Sequence, residues 1–429
     1  MKNRGLLDTT MARVLTLDNV NVDNKTVLVR VDINSPLRPD TKAFLDTTRI
    51  KAIVPTLNRL SGAKVVLLAH QSRPGKNDFT TTLGHSRELG RILGRPIKWV
   101  DDLAGEKAMN AIESLKVGEI LMLNNVRMYD EELNSKGNFH QLSETTIVQN
   151  LASVADLFVY DAFACAHRST ATGVGFTHLI PCVAGEVMNN EITKLDLALQ
   201  NPARPCLAVL GGIKVDDSIA VADHMLRNNI CDEFWATGGV ANLLLELSGY
   251  NIGSVNHDFL VKELGKNWHQ TVETAKALIV DFKEKIHLPV DVAANIEDNR
   301  VDIEVEKLPI EAPIFDLGIQ SIRNLSAAIK NAGTVHLNGP AGVFERPDFA
   351  FGTIEMLNAC AESKAYVVVG GGHTATLIVK HGLRNKMGHL STGGGACLDY
   401  IAGKILPAVA SLETSANAFT LNIQKAVDQ

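Results

Sequence analysis

Short apolar runs that stop at glycine or at a polar residue, each followed by a stretch with helical spacing, limit most strongly what this chain can fold into. In the first half they read "TVLVRVDI", "KVVLLAH", "EILMLNN" and "LFVYDAF", with helical periods near residues 49–61 and 84–93 between them. A second series follows Pro205: "CLAVLGG", "EFWATGG", "KIHLPVDVAA", "TVHLNGP", "YVVVGGG" and "GHLSTGG". Strands apolar on both faces, alternating with helices, predict mainly parallel sheets covered on both sides, a three-layer α/β/α architecture. The chain's 429 residues exceed what one hydrophobic core usually supports, so two such domains are expected. Met188, Ile192, Leu195 and Leu199 fall at helical spacing before Asn201 and Pro202, which predicts a long connecting helix between the two series. The expected division is a domain over 1–185, a linking helix over 186–203, a second domain over 204–400 and a C-terminal segment over 401–429.

Composition narrows the partners. A net charge of -6 argues against general nucleic-acid or anionic-membrane binding, so any anion site must be a local cluster. No apolar run is long enough for a membrane span, and the first twenty residues, with Asp8, Arg13 and Asp18, lack the apolar core of a signal peptide. The first ten or so residues are expected to be a disordered lead-in, with Met11 an alternative start. Cys165, Cys182, Cys206, Cys231, Cys360 and Cys397 form no C-x-x-C pair and fit free, buried thiols in a reducing cytoplasm.

Four strands of the second series run directly into glycine: Gly211-Gly212, Gly238-Gly239, Gly370-Gly371-Gly372 and Gly393-Gly394-Gly395. Glycine permits a tight strand-to-helix turn and lets a ligand approach the backbone, while the next helix offers unpaired N–H groups to an anion. In an open parallel sheet such turns share the carboxyl edge, which points to a phosphate-rich ligand. Residues 370–375, "GGGHTA", fit the loose dinucleotide fingerprint G-x-G-x-x-A, but no Asp or Glu occurs between 363 and 398 to hold a ribose. A Walker P-loop is absent. Lys214, two positions past Gly212, is placed to reach a phosphate or to be a solvated first-turn lysine. Asn338 and Glu345 flank another strand end, where Glu345 can accept from ribose hydroxyls or stand in solvent.

Strand ends of the first half carry charge instead. Asp32 and Asn34, His70 and Arg73, Arg127, and His167 with Arg168 stand where apolar runs stop, and Arg49 opens the first helix. On one rim these groups make an anion site suited to a small molecule with carboxylate and phosphate oxygens, which arginine forks match in bidentate geometry. His85, His140 and His287 lack such a setting and are expected to be structural. Two rims, one phosphate-binding and one arginine-rich, suggest phosphoryl transfer, chemistry of positioning and charge neutralisation that needs closure against water.

These residues resemble a known family. "VLVRVDINSPL", "TRI", "LLAHQSRPG", "NNVRMYDEE", "YDAFACAHRS", "LGGIKVDDSI", "LPVDVA", "NGPAGVFE", "VVGGGHTA" and "STGGGACLDYIAGKILP" occur in the order of phosphoglycerate kinases, in a form nearer the archaeal type. The resemblance implies two Rossmann-like domains joined by a long helix and hinge, with the C-terminal segment returning toward the first. It implies a cytoplasmic enzyme of glycolysis and gluconeogenesis, monomer or homodimer, that moves a phosphoryl group between 1,3-bisphosphoglycerate and ADP, giving 3-phosphoglycerate and ATP, with Mg2+. Asp32, Asn34, Arg49, His70, Arg73, Arg127 and Arg168 would then hold the phosphoglycerate, with Arg49 nearest the transferred group. Lys214 and the amides near Gly371, Gly372 and Gly394 would neutralise that group in the transition state. Gly238, Gly239, Asn338, Glu345, His373 and Thr374 would complete the nucleotide site. No general base is required, because a carboxylate acceptor is ionised at neutral pH.

Departures from the family pattern fall mainly on the nucleotide side. His373 stands where many members have an aspartate that helps hold magnesium, which leaves the metal ligand unassigned. Ser218 replaces a frequent second lysine, "DLGIQS" replaces D-I-G-P-K/E, and Ser72 replaces a usual glycine. A non-catalytic nucleotide- or phosphoglycerate-binding descendant and an NAD-linked oxidoreductase are the competing functions. The first is opposed by intact Arg49 and Lys214, the second by the missing ribose carboxylate.

Overall fold

A computed structural model describes residues 14–427, with side chains through 419; the expected lead-in and Met11 lie outside the described residues. The chain divides into two compact units, one comprising Met1–Glu191 with Ile405–Gln429, the other Ile192–Lys404. The boundary falls inside the helix Glu186–Gln200.

The first unit is built on β1 (Thr26–Val31), β2 (Lys64–Leu68), β3 (Lys98–Trp99), β4 (Ile120–Met122), β5 (Leu157–Asp161) and β6 (Cys182–Ala184), all parallel in the order β3-β4-β2-β1-β5-β6. Val27, Val29 and Val31 of β1 join Val65, Leu67 and Val159 in one core, and the opposite face, with Leu28 and Phe158, is equally buried. Burial on both faces is why these strands read as continuous apolar runs rather than as alternating ones. The expected first helix is two, Thr48–Ala52 and Val54–Arg59, because Pro55 near the start of the second cannot donate the amide a continuous helix needs. The helix Glu186–Gln200 starts where Asp161, at the end of β5, accepts from the Val187 and Met188 amides at 2.8 and 3.2 Å. The helix Pro407–Val427 fastens to β6, with Ser415 Oγ accepting from the Cys182 amide at 2.8 Å.

The second unit repeats the plan with β7 (Cys206–Leu210), β8 (Glu233–Ala236), β9 (Ile286–His287), β10 (Asp291–Ile296), β11 (Asn299–Glu304), β12 (Ile314–Leu317), β13 (Thr334–Asn338), β14 (Tyr366–Gly370) and β15 (His389–Leu390). The order β15-β14-β13-β7-β8-β9 is parallel throughout. One expectation is corrected: "KIHLPVDVAA" is not a single parallel strand. It serves β9 and then β10, and β11-β10-β12 form a separate antiparallel sheet. Pro289 separates the two because it has no amide to donate to a ladder. Glu297 and Asp298, at φ 48° and 62°, then make the tight turn that pairs Ile296 with Asn299. Positive φ at both central residues matches the right-handed strand twist, and the acidic pair hides a turn that Asn-Gly would announce.

Candidate active site

In the first unit the carboxyl ends of β1, β2, β4 and β5 meet around a cavity of about 650 Å³, lined by Arg30, Asn34, Arg73, Arg127 and Arg168 among others. Four of the expected residues, Asn34, Arg73, Arg127 and Arg168, thus share one wall. Asp32, Arg49 and His70 are not lining residues but adjoin that wall. Asp32 forms an ion pair with Arg49 and accepts from the Asn34 amide at 3.1 Å, while Asn34 accepts from the Ser72 amide at 2.8 Å. Arg127 donates to the Ser72 carbonyl, so Ser72, a departure from the family pattern, knits the loop after β2 to two candidate ligands through its backbone.

Electrostatics mark the cavity as a place for an anion. His70 is buried, and burial first, then Arg30, Arg127, Arg168 and Arg49, hold its imidazole well below the ordinary value. The ring is therefore neutral, and its Nδ1 accepts from Arg30 Nη2 at 3.3 Å, since a guanidinium can only donate. Burial and neighbouring Arg168 also lower Arg127 from its ordinary range. Cationic side chains crowded so closely gain from a ligand carrying several negative oxygens.

Arg30 is the main residue that the sequence reading omits. It is 4 % exposed, on the central strand, and donates to the Val31 carbonyl at 2.9 Å. The signal was present: "TVLVRVDI" carries one full charge inside an apolar run, and a charge there must find partners or a ligand. Glu132, Tyr160 and Cys165 also line the cavity and had no such signal.

In the second unit a cavity of about 480 Å³ lies beside the glycine turns, lined by Gly238, Gly239, Glu345 and His373 and otherwise largely by apolar groups. Ile213 and Phe259 on its wall remain 56 % and 45 % exposed, which leaves the cavity an open apolar surface suited to an aromatic ring. β10 and β12 supply part of this wall through Val292, Ile314 and Phe315. Buried Asp316, gripped by Arg300 at 2.8 Å and by the Gly352 amide at 2.8 Å, fixes it. Ser321 of the altered "DLGIQS" segment ties the next helix to β10 through Asp291, so this departure serves packing.

Lys214, Asn338, Gly371, Gly372, Thr374 and Gly394 are not in that lining. Asn338 and Gly370 are paired at the ends of β13 and β14, with Gly371 capping the helix Gly372–Lys380 and Gly394 capping Gly395–Ile401. Lys214 is exposed at the start of the helix Val215–Arg227. Thr374 is fully buried in the first turn of the helix Gly372–Lys380.

The glycines divide into two classes. Gly212 donates to the Pro340 carbonyl at 2.9 Å, Gly238 to Ala341 at 3.1 Å and Gly239 to Gly212 at 3.1 Å, so these turns brace one another. A side chain at Gly339 would meet the Gly211 carbonyl oxygen at 2.3 Å. By contrast, nothing lies within 4 Å of an added Cβ at Gly372, Gly394 or Gly395. Packing accounts for the first class; in the second, Gly394 is also required by its φ of +54°, whereas Gly372 and Gly395 stand open at helix starts.

Among the described residues no helix is long and apolar enough to cross a membrane. The family model described as phosphoglycerate kinase matches residues 17–404. A phosphoglycerate kinase of Methanothermobacter thermautotrophicus is 46% identical over 93% of this chain and 97% of its own length. One from Methanobacterium bryantii is 45% identical over 92% of this chain and 96% of its own. The crystal structure of phosphoglycerate kinase from Pyrococcus horikoshii OT3 superposes with a TM-score of 0.83 at 36% identity, covering 94% of this chain and 99% of that one. Agreement of that extent, on a fold with an arginine-lined and a glycine-lined strand rim, makes the chain a member of the phosphoglycerate kinase family, enzymes that pass phosphate between ATP and the carboxyl group of 3-phosphoglycerate.

Proposed function

We propose that the cavity of the first unit holds 3-phosphoglycerate or 1,3-bisphosphoglycerate and that the glycine rim of the second holds ATP or ADP with Mg2+. The observation that carries this is the convergence of Arg30, Arg73, Arg127 and Arg168 on one cavity, with Arg49 beside it, in a chain of net charge -6. Arg73, Arg127, Arg168 and Asn34 contact the ligand's phosphate and carboxylate oxygens. Asp32 aims Arg49 at the phosphoryl group in transfer, and neutral His70 donates from Nε2, because Nδ1 is taken by Arg30.

On the other rim the adenine lies against the apolar wall beside Gly238 and Gly239, and Glu345 accepts from the ribose. The amides of Gly371, Gly372 and Gly394 receive the phosphates together with Lys214, backed by Asn338 and the turn at His373 and Thr374. Magnesium prefers oxygen donors and is carried largely by nucleotide phosphates, so His373 suits it poorly. Asp217, one turn past the glycine pair and beside Lys214, offers the oxygen donor that His373 lacks. Bound magnesium would supply charge neutralisation on the nucleotide phosphates. Closure of the two units brings donor to acceptor and excludes water, and a cytoplasmic enzyme accords with the family's soluble, phosphorylated substrates.

The test is a coupled assay of purified protein with 3-phosphoglycerate, ATP and Mg2+, repeated with GTP. Turnover that requires all three components is expected. Nucleotide binding without turnover would instead identify a non-catalytic descendant.

A further inference from the structure

We propose that Asp32, His70 and Cys165 form a three-ligand site for a thiophilic divalent cation, Zn2+ or Cd2+, whose binding blocks the arginine-lined cavity. One ligand atom from each of the three lies within 4.8 Å of those of the other two. Cys165 Sγ is 3.9 Å from His70 Nδ1. Bond lengths of about 2.3 Å to sulfur and 2.0–2.1 Å to nitrogen, at a tetrahedral angle, place S and N about 3.5 Å apart, so that pair closes with a small adjustment, while the Asp32 carboxylate, within 4.8 Å, moves in by about 1 Å as it leaves Arg49. Three protein ligands leave a fourth position for water, as in open zinc sites.

The surroundings decide which cation the site takes. Arg30, Arg49, Arg127 and Arg168 all act on His70, and they oppose any dication held by charge alone. Magnesium and calcium bind through ionic contacts to oxygens, of which the site offers only the Asp32 carboxylate, itself shared with Arg49. A thiolate–metal bond to a soft ion is the interaction able to offset the arginines. On binding, the Cys165 thiol loses its proton to water and its sulfur donates a lone pair to the cation. The cation also takes the His70 Nδ1 lone pair now shared with Arg30 Nη2. Cys165 and Arg30 both line the cavity, so an occupied site removes donors and space from an anionic ligand. The block to phosphoglycerate rests on the function proposed above, whereas cation binding itself does not.

Cobalt(II) is the direct probe. Titrated into the full-length protein without substrate, it should produce a thiolate-to-cobalt charge-transfer band that zinc abolishes and that Cys165→Ser lacks. The other five cysteines are buried and remain in that variant. With free zinc set by a metal buffer, inhibition should be competitive with 3-phosphoglycerate, and the zinc concentration for half-inhibition should rise about tenfold or more in Cys165→Ser, each protein referred to its own uninhibited rate. Excess magnesium should not reproduce it. Absence of the band in the parent protein, or a band and zinc sensitivity retained in Cys165→Ser, overturns the site. A band that depends on Cys165 but resists 3-phosphoglycerate leaves the cation site standing and overturns the placement of the substrate.

Discussion

On the proposed assignment the two strand rims bind anions by opposite means. The first unit uses side chains: guanidinium groups project from the ends of buried strands, and each can be deleted singly. In the second unit the proposal gives the task to the backbone, with glycine turns presenting amides and helix ends, joined by exposed Lys214 after the Gly211–Gly212 turn. A side-chain site is broken by removing atoms; a backbone site is broken only by adding them. The largest expected effect accordingly follows removal of Arg49. Arg49→Ala should lower kcat by ~10³-fold, and Arg49→Lys should recover little of it, because an ammonium cannot reproduce a planar fork held by Asp32. Steady-state kinetics at saturating substrates decide this, and a loss under about tenfold would move the transferring group away from Arg49.

Lys214 tests the other rim. It is exposed and makes no side-chain cap on its helix, so Lys214→Ala should leave the unfolding temperature unchanged. Turnover should fall by ~10²-fold with a smaller change in nucleotide KM, since the charge acts on the transition state more than on bound nucleotide. Near-normal turnover would assign the whole task to backbone amides and make the contrast between the rims absolute.

The same contrast explains what the sequence disclosed. Two parallel α/β sheets were legible because strands such as "TVLVRVDI" and "YVVVGGG" are buried on both faces and punctuated at their ends. Arg73, Arg127 and Arg168 were legible as neighbours on one wall because charge just past a strand end is conspicuous. Phe259, Val255 and Phe315 were not, because an apolar residue that lines a cavity has the same spelling as one that fills a core. The β10–β12 sheet was hidden for a related reason: its turn at Glu297-Asp298 looks like surface charge until the positive φ angles are seen. Among the glycines the sequence cannot separate those braced by neighbouring backbone from those facing open space, since only coordinates distinguish Gly339 from Gly372.

Acid should separate the units by stability. Burial holds both His85, in the first unit, and His336, in the second, down to a pKa of about 4 against an ordinary 6.5. A histidine with a depressed folded-state pKa leaves stability intact above 6.5. As pH falls below that, the unfolded chain takes up a proton that the folded state refuses. At pH 5 each of these two rings should cost about 2 kcal/mol; in the first unit His70 adds a further loss, while Asp161, its carboxyl pushed up to about 6 by burial, takes up a proton in the folded state first and returns roughly 1 kcal/mol. Trp99, the first unit's one tryptophan, reports on that unit if Trp235 and Trp268 are replaced by phenylalanine. Its urea midpoint should fall more steeply between pH 7 and 5 than that of a variant retaining only Trp235, and His85→Gln should narrow the gap. Parallel slopes would show that protonation of Asp161 offsets the burden of His70 in full.

The smallest effect is also the sharpest probe of a backbone site, because adjacent glycines should respond in different observables. Gly371 sits at φ +85°, where a Cβ would stand 2.9 Å from Asn338 Oδ1. Gly371→Ala therefore strains the native state and should cost about 1–2 kcal/mol of stability. Gly372 has ordinary φ and open space above it, so Gly372→Ala removes a source of unfolded-state entropy and should leave stability equal or slightly raised. If the Gly372 amide receives a phosphate, the added methyl group stands where that phosphate approaches, and the nucleotide KM should rise severalfold while the phosphoglycerate KM stays fixed. Chemical denaturation and two KM values per variant separate the outcomes. Should Gly372→Ala leave the nucleotide KM untouched, the open glycine serves no ligand, and Lys214 with the Gly394 turn must carry the phosphates instead.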